Sequence, residues 1–183
     1  VDLQSGARTV LTEAIDWDVE DFDVSPDGAY IAFVTNEAGR SRLNAVDVAG
    51  GRIEVPEPPV GVIHGLEWHN DSRHLAFTLS SATIPGDVFV AEVPSNRFER
   101  WTYSETSVNT ADFAEAELIE WKSFDQRTIS GFLYRPPAKF TGKRPVVLII
   151  HGGPEGQSKP GYVGRWNYFL NDLGAALIYP NVR

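Results

Sequence analysis

Ser25-Pro26-Asp27-Gly28-Ala29-Tyr30-Ile31-Ala32-Phe33 is answered 44 residues later by His69-Asn70-Asp71-Ser72-Arg73-His74-Leu75-Ala76-Phe77. Further along, Val46-Asp47-Val48-Ala49-Gly50-Gly51-Arg52 matches Ala91-Glu92-Val93-Pro94-Ser95-Asn96-Arg97 at an offset of about 45. The opening phrase Val1-Asp2-Leu3-Gln4-Ser5-Gly6 repeats the same pattern 45 residues before Val46. Ser25-Pro26-Asp27-Gly28 is a turn by its chemistry: Pro presets φ, Asp tolerates the next position and Gly supplies a positive φ at the end. In the run that follows, Tyr30, Ala32 and Val34 share one face and Ile31 and Phe33 the other. Both faces are largely apolar, as in a sheet packed between neighbours.

Each repeat reads as four short strands, the first at 19–24, 30–35, 42–48 and 52–55. Four strands per roughly 40–45 residues is the pattern of a β-propeller blade. An ordinary β-sandwich is the alternative; three copies in one phase favour the propeller. The chain is expected to open on the back half of one blade and to carry two whole ones. Two and a half blades do not close a ring, so further blades are expected before Val1.

The repeat ends near Asp112, and the charge changes there. Of the 183 residues, 1–112 hold 19 acids against 7 arginines and no lysine, and 113–183 hold 6 acids against 9 bases. This suggests two units, the last propeller blades at 1–112 and a second domain at 113–183. The excess of acid in the first unit repels phosphate backbones and argues against a nucleic-acid partner. The cluster Asp16, Asp18, Glu20, Asp21 and Asp23 lacks the spacing of a Ca²⁺ loop and reads as a solvated strand edge. Apolar runs of about five residues are too short to span a membrane. There is no Cys, hence no disulfide, thiolate metal site or Cys nucleophile. The compartment stays open, with the cytoplasm favoured. Met is absent even at position 1, and the chain is expected to be a piece of a longer protein.

From residue 113 the pattern becomes that of an α/β unit. Strands over 117–124 and 127–134 form a hairpin about Asp125-Gln126. Pro145-Val146-Val147-Leu148-Ile149-Ile150 lacks polar alternation and predicts a strand buried on both faces of a parallel sheet. Trp166, Phe169, Leu170 and Leu173 fall on one helix face, Gly174 stops that helix, and 175–179 is the next strand.

Between strand and helix lies His151-Gly152-Gly153-Pro154, at the carboxyl end of what is expected to be a central strand, where open α/β sheets bind ligands. Two glycines let backbone N–H groups face a cleft, and such donors stabilise an oxyanion. A plain glycine turn with a core-facing His is the alternative. No Gly-x-Ser-x-Gly occurs in the chain. His64, His69 and His74 are spaced by five, which on a strand sends neighbours to opposite faces, so no metal site is expected.

With its preceding strand 145–150 and the closing Tyr179-Pro180-Asn181-Val182-Arg183, the segment His151-Gly152-Gly153-Pro154-Glu155-Gly156-Gln157 resembles the prolyl oligopeptidase family of serine peptidases, its acylaminoacyl-peptidase-like branch in particular. The Ser25–Gly28 blades are similar to that family's propeller, and the resemblance spans nearly the whole chain. It implies β-propeller blades followed by the first part of an α/β-hydrolase domain, and an activity that cleaves short or N-acylated peptides through an acyl-enzyme. Gly152, Gly153 and His151 would form the oxyanion-hole loop; His151 stands where some relatives carry a Tyr, which points to a backbone donor. Arg183 would support the loops near the active site. The family's Ser, Asp and His would lie further on, so the chain alone is expected to be inactive. No cofactor or metal is implied. Expected partners are a short peptide substrate and either a second copy or the missing parts of the protein. A non-catalytic propeller scaffold with a vestigial hydrolase domain, or an esterase or lipase, are the rival readings.

Overall fold

The computed structural model describes residues 4–153 and 155–182. Its strands form three four-stranded sheets. The first holds β1 (Val19–Val24), β2 (Tyr30–Glu37), β3 (Arg40–Asp47) and β4 (Arg52–Ile53); the second holds β5 (Gly61–Trp68), β6 (His74–Ser81), β7 (Asp87–Glu92) and β8 (Arg97–Arg100). Each runs in sequence order with antiparallel neighbours, as propeller blades do. The predicted turn closes the β1–β2 hairpin: Gly28 N donates to Ser25 O at 2.7 Å with Gly28 at φ +73°. In the second blade Ser72 takes the same place at φ +55°. Residues 4–18 carry no strand, so the expected half-blade is not formed there, and Val1–Leu3 lie outside the described residues.

The blades pack face to face. Ala32, Val34, Leu43 and Ala45 from the first bury against Ile63, Leu66, Trp68, Leu75, Phe77 and Leu79 from the second. Two carboxylates fasten the seam: Asp21 and Asp23 of the acidic cluster are half-buried there, which corrects the reading of the cluster as a solvated edge for these two, while Asp16, Asp18 and Glu20 are exposed as expected. The β5–β6 register slips between His64 and Glu67, and such a bulge frees backbone donors. Asp21 Oδ2 accepts from Gly65 N at 2.8 Å and Leu66 N at 3.1 Å, and Asp23 Oδ2 accepts from Trp68 N at 2.8 Å.

The third sheet is mixed, in the order β11 (Val146–Leu148), β12 (Ala176–Pro180), β10 (Thr128–Tyr134), β9 (Glu117–Lys122). The β9–β10 hairpin turns with Gln126 at φ +66°, and β11 runs parallel to β12. Two expectations fail here. β11 is not buried on both faces: it pairs only with β12 among the described residues, and Val146, Leu148 and Ile150 are exposed. The predicted helix shrinks to α1 (Asn167–Asn171) behind a 3₁₀ turn at Gly164–Trp166, and Leu173 is exposed. The chain leaves the helix before Gly174, which sits at φ +62°, and Arg144 caps the freed carbonyls of Leu173 and Gly174, each at 2.8 Å. Phe132, Tyr134, Leu170 and Leu177 bury with Ala82 of the second blade, so the third sheet's core reaches the propeller side. Among the described residues no helix is long and apolar enough to cross a membrane.

Candidate active site

Pairing between β11 and β12 runs on past Leu148, since Ile149 N donates to Ile178 O at 2.9 Å. The loop then leaves the sheet edge at His151. His151, Gly152 and Gly153 follow the carboxyl end of β11, which among the described residues is an edge strand of its sheet rather than a central one; Pro154 lies outside the described residues. Gly152 and Gly153 are exposed, and a Cβ on either would meet nothing within 4 Å. Among the described residues neither backbone N–H is used in a hydrogen bond. Packing therefore does not demand these glycines, and two donors are free of partners among the described residues.

His151 Nδ1 lies 2.8 Å from Gly152 O. A carbonyl only accepts, so the contact puts the hydrogen on Nδ1 and leaves Nε2 as an acceptor. That Nε2 is buried without a partner among the described residues. Gly156 folds back over the same peptide: a Cβ there would collide with Gly152 O and come within 2.9 Å of His151 Nδ1. This close approach requires glycine.

Beyond Gly156 the loop is pinned. Gln157 Oε1 accepts from Asn36 Nδ2 at 2.7 Å, and Lys159 forms an ion pair with Glu20, both on the first blade. Ser158 N donates to Asn181 Oδ1 at 2.7 Å, and Asn181 N donates to Ser130 O at 2.8 Å. Tyr162 N donates to Ser80 Oγ of the second blade at 3.2 Å. The loop is thus free where its glycines lie and held by both blades and the end of β12 downstream. None of these partners was legible as a site residue in sequence, because each is a polar side chain with no motif around it. Asn181 stood only in the family-like closing segment, and Arg183 lies outside the described residues.

The floor beneath is aromatic. Tyr134 and Tyr179 meet edge to face at 5.5 Å. Burial pushes the Tyr179 phenol up to about 12, and its hydroxyl has no partner among the described residues. Burial, with the charges of Tyr179 and Glu115, raises Tyr134 further, while its hydroxyl donates to Gly161 O at 3.4 Å. A cavity of about 1170 Å³ opens elsewhere, between the second blade's Pro85, the connection through Phe113, and Tyr162 and Tyr168; no glycine of the His151 loop lines it.

The histidines do not behave as expected. His69 and His74 do not point apart: both Nδ1 atoms contact Asp71 Oδ2, at 3.1 and 2.6 Å. The alternation rule applies along one strand, whereas these residues face each other across the β5–β6 hairpin, where His69 N donates to His74 O at 2.8 Å.

No known family profile matches the chain. It is 27% identical over 162 aligned positions, 84% of its length, to prolyl oligopeptidase A of Galerina marginata, of which it covers 21%. In fold it is similar to apo prolyl oligopeptidase B of the same organism, with a TM-score of 0.75 and 20% identity over 92% of this chain and 24% of that one. It is likewise similar to an acylaminoacyl peptidase of Pyrococcus horikoshii, with a TM-score of 0.69 and 21% identity over 97% of this chain and 27% of that one. The chain thus spans about a fifth of its curated relative and about a quarter of these solved chains. Two propeller blades, a following mixed sheet and this sequence similarity across both make the chain similar to the prolyl oligopeptidases in fold and in sequence.

Proposed function

We propose that the protein to which this chain belongs hydrolyses short or N-acylated peptides through an acyl-enzyme, with the N–H of Gly152 or Gly153 donating to the oxyanion. The observation that carries this reading is the pair of unengaged N–H groups at the carboxyl end of β11, on a loop whose far half is fixed. When a nucleophilic oxygen adds to the scissile carbonyl, charge grows on the carbonyl oxygen. A donor already aimed at that position stabilises it without reorganisation, at about 3 kcal/mol per donor. His151 would orient the loop through its bond to Gly152 O, and would not act on the substrate. The relatives support a peptide substrate, since prolyl oligopeptidase B has been seen bound to peptides of 25 and 35 residues.

The chain contains no Gly-x-Ser-x-Gly, so by itself it is expected to turn over no peptide p-nitroanilide. The decisive experiment uses a longer form that continues through a hydrolase domain. It should react with a fluorophosphonate probe, and Gly153→Pro, which deletes one N–H, should lower kcat by about 100- to 1,000-fold with probe labelling retained in part. Equal kcat in both Gly152→Pro and Gly153→Pro would overturn the oxyanion role. Failure to react at all would favour a non-catalytic scaffold, and ester hydrolysis without peptide hydrolysis would favour an esterase. Among the described residues β11 pairs only with β12 and carries exposed Val146 and Leu148, which supports further elements of the same protein covering that edge and face.

A further inference from the structure

We propose that His69, Asp71 and His74 form a surface site for a divalent transition-metal ion of the zinc class, held by the two Nδ1 atoms and Asp71 Oδ2. This is independent of the catalytic reading and lies on the second blade. One ligand atom from each residue falls within 4.8 Å of the others. Around a tetrahedral zinc with bonds of about 2.0–2.1 Å, ligand atoms stand about 3.3 Å apart. The His69–Asp71 separation of 3.1 Å already fits, and the His74–Asp71 separation of 2.6 Å needs only a small opening.

The carboxylate is set in place before any ion arrives. Asp71 Oδ1 accepts from Arg73 N at 2.9 Å and His74 N at 3.0 Å, which leaves Oδ2 for the imidazoles. The turn does not need those rings in order to fold. Its counterpart in the first blade has Ser25, Asp27 and Tyr30 at the matching positions and closes through Ser25 Oγ donating to Asp27 Oδ1 at 2.6 Å. The two imidazoles are therefore an addition to a turn that is complete without them.

The charges around the site are balanced: Asp27 and Glu92 stand against Arg73 and Arg97. The Asp27 turn lies alongside, with Asp27 N donating to Ser72 Oγ at 3.0 Å, and Glu92 pairs across the strand with His74. The nearby Arg73 and Arg97 are both engaged by Glu92. Side-chain exposures of 68% for His69 and 45% for His74 leave an entry path and room for water to complete the coordination. Two imidazole nitrogens and one carboxylate suit Zn²⁺, Ni²⁺ or Cu²⁺ better than Ca²⁺ or Mg²⁺. On binding, each ring coordinates as the neutral form through Nδ1, its proton carried at Nε2.

The test is Zn²⁺ titration of the untagged chain against a chromogenic chelator; the absence of Cys removes thiolate competition. One equivalent should bind, more weakly as pH falls through the imidazole range. His69→Gln and His74→Gln should each weaken binding about tenfold or more, and His64→Gln should not. Cu²⁺ loading should give an electron paramagnetic resonance spectrum with two nitrogen couplings, reduced to one in either variant. In case a variant is misfolded, ¹⁵N imidazole spectra of the unmodified chain should show the His69 and His74 Nδ1 signals moving with Zn²⁺. No binding at about 100 μM Zn²⁺, or binding that ignores both substitutions while the Nδ1 signals stay still, overturns the site.

Discussion

Asn36 Nδ2 donates to Gln157 Oε1 across 2.7 Å, joining a blade strand to the loop that begins at His151. The same nitrogen donates to Glu20 Oε1 at 2.8 Å, and Asn36 Oδ1 accepts from Gly39 N at 2.8 Å. Lys159 pairs with Glu20 beside it. One amide thus orders an acid, a tight turn and the downstream half of the glycine loop.

Asn36→Ala should therefore loosen the loop more than the blade. We expect a stability loss of about 1–2 kcal/mol in urea denaturation, and faster amide exchange across 155–162. Exchange in that segment equal to the unsubstituted chain would show that the contacts of Lys159, Tyr162 and Asn181 hold the loop without Asn36.

Gly39 and Gly28 make a matched pair. Both have positive φ, +91° and +73°, but a Cβ on Gly39 would lie 2.9 Å from Ser158 O and 3.0 Å from Phe132 Cε2, while one on Gly28 meets nothing within 4 Å. Gly28→Ala should cost about 1 kcal/mol from backbone strain, and Gly39→Ala about 3 kcal/mol because the contact between blade and third sheet must also open. Equal losses in the two variants would mean that this contact does not close in solution.

Asp87 should give the second blade a distinct acid sensitivity. Burial pushes its carboxyl up, yet hydrogen bonds from Thr102, Arg100 and Ser104 outweigh burial and hold it below the ordinary value of 3.8. A group depressed in the folded state contributes its full stability above the unfolded value and loses it as pH falls toward the folded one. Unfolding should therefore ease below about pH 4, and Asp87→Asn should flatten that window while costing roughly 2–3 kcal/mol at neutral pH. Urea midpoints measured across the acid range for both forms decide this.

Tyr179→Phe should be neutral or stabilising by up to about 1 kcal/mol, because the hydroxyl it removes is buried without a partner among the described residues. Tyr134→Phe deletes a hydroxyl that donates to Gly161 O and should destabilise. A lower Tm for Tyr179→Phe than for Tyr134→Phe would contradict this assignment of partners.

The blades were readable because their signals are local. Turn residues such as Ser25–Gly28 act within four positions, and apolar runs such as 30–34 report burial on both faces of one strand. The His151–Gly153 loop was readable for the same reason, since two glycines after an apolar strand make a compact signal. Periodicity overreached at Leu173: it counts apolar spacing but does not see Arg144, 29 residues upstream, taking the Leu173 carbonyl. It also misplaced His69 and His74, because strand alternation says nothing about residues facing each other across a hairpin.

Amino-acid order alone was enough for the two four-stranded repeats and the turns that close their hairpins, all set by interactions between near neighbours. Only the folded chain decided that Asp21 and Asp23 cap the next blade, that Gln157 and Lys159 are held by the first, and that two histidines meet one carboxylate. The seam and loop pairs join residues 44 to 139 positions apart. Such partners are chosen by which backbone donors a bulge or loop leaves unpaired once the sheets have packed, and no local pattern encodes that.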